Sequence, residues 1–599
     1  MSSFRVKAFY YLFLFSFVSC SIGTYQNIFD TVVIEFPCNA ASFEAGELIA
    51  LRANKYVTWI SNKDNILGKG KSITVYLTSG CHEITARTDN GNYAAISIYI
   101  REPQFVPGSW VYFRPSVVPT RLSLAAGHFY PVSVTSENSV SVETSFVTGS
   151  SRNKSFSNGL SNGGLETSFP FIRDVPFEFP SQILQQNVSN LSLTRQKKNF
   201  SLKPVVGDTG TFRVADPSRG TGEPGWVVNA RCAFIAENVS LWIDTETNVD
   251  ETLFQDFTEK LNRIVIPRVQ TIWGYHYDLD NDGMFTVLMT KKLNDQQLAI
   301  GFFNPCDYFP YSDDPASNQY NPTSNMKDIL YIGAIAPDSN KNYNRFALLA
   351  TIAHEYQHLC RFSRKTFYRL VHGDPNPLLE DSAFDEAMSH LTESLVGYGL
   401  SGGNLSFVQY YFQRTGVFSL LGQDENGATD SAGKRGMGSL FLYYLLERKG
   451  GIEYGTSGPS ELQDKGGMSF LKGSIDYPAS GWKYLEAVFQ KDLSVLLTEF
   501  SQYIQQSCVA QQPIPGPIDS FTGEPLAIYP YMGTIVSPHD SSLKVNLIGP
   551  QLVPLKNYLN FLGYSICFFE DMSFLSPITF SAQKRSGRGQ TVFLFYMAE

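Results

Sequence analysis

Apolar and polar residues alternate in short runs near both ends of this chain and recur at helical spacing through its middle. Between residues 28 and 101, the runs 31–36, 56–60, 72–77, 82–86 and 93–100 are rich in β-branched and aromatic residues, with Gly, Asn, Asp and Lys clusters between them. Such runs, about ten residues apart, predict a small β-sandwich. Further on, 111–118 and 128–134 read as strands. From Ser136 to Asn199 the composition shifts to Ser, Asn, Gly and Thr. That shift predicts a flexible connector or pro-segment, with a set of long surface loops as the other reading.

Near residue 203 the pattern tightens. Strands are predicted at 227–229, 232–235, 239–243, 285–289 and 329–332. Leu253, Phe257, Leu261 and Ile264 recur at helical spacing and predict a helix over 252–273. Longer helical stretches follow at 345–363, 381–399, 436–448 and 480–506. Strands first and helices after predict an α+β domain. The tail returns to β-type runs at 543–547 and 591–595. The expected organisation is a leader over 1–20, an all-β sandwich over 21–103, a connector over 104–202, an α+β catalytic domain over 203–515 and a small β-rich C-terminal domain over 516–599.

Composition narrows the classes. Of 599 residues, 43% are hydrophobic and 14% aromatic, which excludes global disorder. The net charge of −9 gives no basic footprint, so nucleic acid is not an expected partner. Eight cysteines in a chain this long do not make a disulfide-dense scaffold. Arg5 and Lys7 followed by apolar residues 8–18 read as an export signal, too short to span a bilayer. It ends Ser19-Cys20-Ser21, which resembles a bacterial lipobox and implies lipidation of Cys20; an ordinary signal cut near 21–23 is the alternative. No later stretch is long and apolar enough to predict a transmembrane helix. The expected location is therefore exported, either lipid-anchored at the membrane or cell surface or secreted. In that disulfide-permissive setting Cys38 and Cys81, both in the first β-rich segment, are expected to pair.

The chemistry concentrates in His354-Glu355-Tyr356-Gln357-His358, within a stretch free of Gly and Pro. Two His at i and i+4 lie about one turn apart on one helical face and can converge on a metal ion. Glu355, about 100° round the helix, is placed to act as general base on a metal-activated water. A catalytic zinc needs a third protein ligand and an open position. The predicted helix at 381–399 offers Glu386, His390 and Glu393 on one face, at i, i+4 and i+7. Glu386 and His390 are rival third ligands. Asp278, Asp280 and Asp282 before Gly283 match the first half of a calcium loop, but its twelfth position is Met289. A partial Ca²⁺ site and an Asp-rich turn both fit.

The motif, with Asp385-Glu386-Ala387 and the run from Leu391 to Gly399, resembles the hyicolysin-like neutral metalloproteases. Tyr277–Gly283, Gly301–Phe303, Ser324–Ile332 and Gly436–Leu445 extend the resemblance over roughly 205–510. It implies a zincin-like domain of the gluzincin type, one Zn²⁺ per chain held by His354, His358 and Glu386, and protein or peptide substrates. The chain departs from that pattern at three places, the first being Asp385-Glu386-Ala387 where Asn-Glu-Gly is usual. His390 stands where a carboxylate often orients a zinc-bound His, which leaves Asp385 or Glu393 for that role. Arg435 stands where a Tyr is usual, which leaves Tyr398 or Arg435 to stabilise the oxyanion. The run Gly80–Ala86 with Asp89-Asn90-Gly91 resembles bacterial immunoglobulin-like modules. A non-peptide hydrolase is also compatible with water activation alone. The alternative to an enzyme is a surface-exposed binding lipoprotein, adhesin-like, built on a degenerate protease.

Overall fold

The computed structural model describes residues 31–147 and 203–598, apart from short stretches within them such as 511–517 and 526–532. The leader with Cys20 and most of the Ser- and Asn-rich segment lie outside the described residues.

The first unit is all-β. Its strands run in the order Ile34–Phe36, Ile49–Ser61, Gly80–Arg87, Tyr93–Ile100 and Ala41–Phe43, with Asn65–Val75 paired onto Ile49–Ser61. Alternate residues face a core around Leu51, Val57, Trp59, Ile84 and Ile98. Cys38 and Cys81 are free and exposed, so the expected disulfide is not formed. Tyr93–Ile100 lies between the strand carrying Cys81 and the segment carrying Cys38. Two interstrand spacings, roughly 9–10 Å, exceed disulfide reach.

The next strands depart from the expected organisation. Trp110–Phe113, Thr120–Leu124, Gly127–Thr135 and Val140–Val147 do not form a connector. They pair with Tyr558–Phe561, Ile566–Phe568, Met572–Phe574, Ile578–Gly587 and Thr591–Met597 of the tail. The two groups alternate in two sheets around Phe129, Val142, Phe580 and Phe593. The tail is therefore not a separate unit. Strands from before and after the middle of the chain build one β-structure, because each group alone would leave an apolar face and open edges. One of its sheets also packs into the central core through Val132, Val134 and Leu594.

The central region is α+β. Its six-stranded sheet has the order Thr209–Val214, Trp226–Ile235, Val239–Asp244, Phe285–Thr290, Ile329–Gly333 and Gly301–Phe303. The middle three strands are parallel and Gly301–Phe303 is an antiparallel edge. The predicted helix over 252–273 is continuous, with a π-helical turn at Leu261–Val265. The motif helix is Arg345–Arg361, capped by Asn344, whose Oδ1 accepts the Phe346 and Ala347 amides. The acidic helix is Ser382–Val396, capped by Asp381 and stopped at Gly397, which has φ 91°. The expected helix over 480–506 is broken at Gln490, in the left-handed region at φ 52°, into Gly481–Phe489 and Leu493–Ala510. Among the described residues no helix is long and apolar enough to cross a membrane.

Candidate metal centre

The motif helix packs against the acidic helix and against the edge strand Gly301–Phe303. Gly301 makes that approach close: a Cβ there would lie 2.6 Å from Thr351 Cγ2 and 2.7 Å from the Tyr331 carbonyl oxygen. The fit brings the Phe303 amide 2.9 Å from Glu355 Oε2, to which it donates. The general-base candidate is thus oriented by backbone and is 2% exposed.

His354, His358 and Glu386 each offer a ligand atom within 4.8 Å of the others. Glu386 lies between the two rings, with Oε2 3.2 Å from His354 Nε2 and Oε1 3.5 Å from His358 Nε2. Each of the three has a charged neighbour behind it. His354 Nδ1 lies 2.8 Å from Glu393 Oε1. His358 Nδ1 lies 3.0 Å from Asp385 Oδ2. Arg435 Nη1 lies 3.0 Å from Glu386 Oε2, and the same guanidinium holds Asp430 at 2.7 Å. Asp385 is steadied in turn by Gln357 Nε2 at 3.2 Å and Arg361 Nε at 3.3 Å.

The electrostatics follow from burial and pairing. Burial pushes His358 down, but Asp385 and Glu386 outweigh it and hold its pKa up at about 9. Burial pushes Asp385 up, yet His358 and Arg361 keep its carboxyl below the usual range. Glu393 is likewise raised by burial and brought below the ordinary value by His390 and His354. A protonated His358 in the metal-free site means that cation binding there releases a proton.

His390, the rival ligand, forms a second group with His354 and Glu393. Its Nδ1 faces Glu393 Oε1 and Asn404 Oδ1, each at 2.9 Å. That group leaves out His358 and meets His354 through Nδ1 rather than Nε2. Tyr398, expected as an oxyanion donor, is packed instead beside Glu524, Arg268 and Asp519, with its ring stacked near His539. Arg435 likewise faces the carboxylate of Glu386.

The Asp278, Asp280 and Asp282 carboxylates also gather within 4.8 Å. Asp278 accepts the Asn281 and Gly283 amides, as in an Asp-rich turn. Lys327 pairs with Asp280 and lies 3.9 Å from Asp282, so the turn carries its own cation.

The chain is similar to a neutral metalloprotease. ShpI of Staphylococcus hyicus is 22% identical to it over 204 residues, which is 33% of this chain and 43% of ShpI. The match thus spans less than half the length of that protease, and it supports a metalloprotease relationship. No family profile matches the chain.

Sequence reading missed the Phe303 amide on Glu355, Asp430 behind Arg435, and Asn404 on His390. None follows a helical or strand period. Asn404 opens the helix Asn404–Gln413, which the apolar pattern did not announce.

Proposed function

We propose that this protein is an extracytoplasmic zinc-dependent endopeptidase with a zincin-like catalytic domain. The observation that carries the reading is the set His354, His358 and Glu386, each backed by a charged partner. Two imidazoles and one carboxylate are a donor set that zinc accepts while keeping a position open for water or substrate. When bound, zinc lowers the pKa of water and polarises a carbonyl.

The chain's own residues have separable tasks. Glu393 and Asp385 hold the Nδ1 protons of His354 and His358, which turns each Nε2 toward the shared centre. Arg435, fixed by Asp430, sets the rotamer of Glu386. Glu355, aimed by the Phe303 amide, takes the proton of the attacking water and delivers it to the leaving amine. Substrates are extracellular or envelope proteins and peptides. Export, with a lipid anchor on Cys20, rests on the pattern of residues 1–20, and the immunoglobulin-like reading of the first β-unit rests on its strand pattern.

The test is Glu355→Gln. The variant is expected to keep zinc and lose hydrolysis, and retained proteolysis would refute the assignment. A second reading, a zinc-holding surface binding protein, is favoured by one observation: His354 and Glu386 are each only 3% exposed. Full zinc occupancy without turnover of unfolded protein would select it.

A further inference from the structure

The tail reaches the metal centre through one carboxyl group. The acidic helix ends at Val396, and the turn over 397–403 leads into Asn404–Gln413. Against this turn lies a compact loop of the tail, in which the Asp519 amide donates to the Glu524 carbonyl oxygen at 2.9 Å. Glu524 is fully enclosed and points into the turn. Its Oε2 accepts the Leu400 amide at 2.8 Å, and its Oε1 accepts the Ser401 amide at 3.1 Å and the Ser401 hydroxyl. Asp519 pairs with Arg268 at 2.6 Å, with both side chains fully buried, and Arg268 donates to the Val396 carbonyl oxygen at 2.8 Å. The loop thus grips the end of the acidic helix and the turn after it.

The turn in its own place supports Glu393. A Cβ on Gly402 would sit 1.7 Å from Glu393 Oε2 and 3.2 Å from Ala350 Cβ on the motif helix. A side chain at 402 would push that carboxylate out of its place. A continuous line of contact runs from Glu524 through Leu400, Ser401 and Gly402 to Glu393, and from Glu393 to His354 Nδ1. His539 Nε2 stands 3.7 Å from Glu524 Oε1, but burial holds that imidazole down at about 4, and burial pushes the Glu524 carboxyl up to about 8.

We propose that Glu524 is a positioning residue for the metal centre: it fixes the 397–403 turn, and the turn holds Glu393 on His354. The proposal rests on the zinc reading above. It makes the tail a working part of the catalytic unit. Partners that orient a ligating His typically change metal affinity by about 10- to 100-fold when lost.

The test is zinc affinity of the full chain, by competition with a chromogenic chelator, for Glu524→Ala, Glu524→Gln, Glu393→Ala and the Glu393→Ala/Glu524→Ala double variant. Glu524→Ala is expected to weaken zinc binding about tenfold, with Glu524→Gln between it and wild type because an acceptor remains. The double variant is expected to lose little beyond Glu393→Ala, since both act along one line. Ser401→Ala, which removes one hydrogen bond from the same carboxyl, is expected to shift affinity in the same direction by less, and it serves if Glu524→Ala does not fold. Unchanged affinity in Glu524→Ala or Ser401→Ala, or losses that simply add to those of Glu393→Ala, would overturn the proposal. Zinc bound by wild type without peptide hydrolysis would refute the protease and leave this test intact. A wild-type chain that binds no zinc would overturn both.

Discussion

His354 and Glu393 stand 2.8 Å apart, Nδ1 to Oε1, on two different helices. The carboxylate lies two turns beyond Glu386 on the acidic helix, so one helix supplies both the candidate ligand and the group that aims another ligand. His390 shares the same oxygen at 2.9 Å, so this carboxylate serves two imidazoles.

Glu393→Gln should therefore weaken zinc binding by about 10- to 100-fold. Gln can still accept from one Nδ1–H, but it cannot neutralise two rings. Chelator competition measures the loss. Affinity equal to wild type would mean that Glu393 does not orient His354.

Arg435→Met should lower hydrolysis more than it lowers folding stability. The change removes the cation from Glu386 and strands Asp430. Arg435→Lys should recover only part, because an ammonium cannot reach both carboxylates with the planar fork of a guanidinium. Casein turnover beside thermal unfolding separates the two effects. Equal losses in both would mean a structural role alone.

Much of this centre was legible in the sequence for a simple reason. His354 and His358 are one turn apart on one helix, and Glu386 and Glu393 are two turns apart on the next, so each pair reports its own geometry. Asp385 and Glu393, the two expected orienters, each meet a different His. The rest was not legible because it depends on segments that meet only after folding. Nothing local in Glu524 marks it as reaching Ser401. Nothing in the strand patterns of 110–147 and 558–597 says that they interleave. The Ser- and Asn-rich composition beginning at Ser136 masked the strand Val140–Val147, whose alternation fits an edge-to-edge partner in the tail.

The cysteines give a check on the first β-unit. At pH 8, native protein treated with a maleimide should be labelled at Cys38 and Cys81, which are exposed and free. Cys360 should stay unlabelled, because burial pushes its thiol up to about 12. Peptide mapping by mass spectrometry reads both. A Cys38–Cys81 disulfide peptide would contradict the strand order that separates them.

The pH dependence of stability tests the buried carboxyl of the tail. Burial raises the Glu524 carboxyl to about 8 in the folded chain, against an ordinary value near 4.5. Between those values the folded state binds the extra proton, so this group lowers stability as pH rises from about 4.5 to 8, and the loss is complete above that window. Glu524→Gln does not titrate. Its unfolding midpoint relative to wild type should therefore rise between pH 5 and pH 9. A constant or falling difference would show that the folded protein holds Glu524 ionised throughout.

The most direct test of the zinc peptidase is casein hydrolysis by the purified chain, with metal content read on the same sample, before and after chelation. Such an enzyme should carry about one zinc per chain, lose hydrolysis with the metal and regain it with zinc. Turnover that survives complete removal of the metal would contradict it.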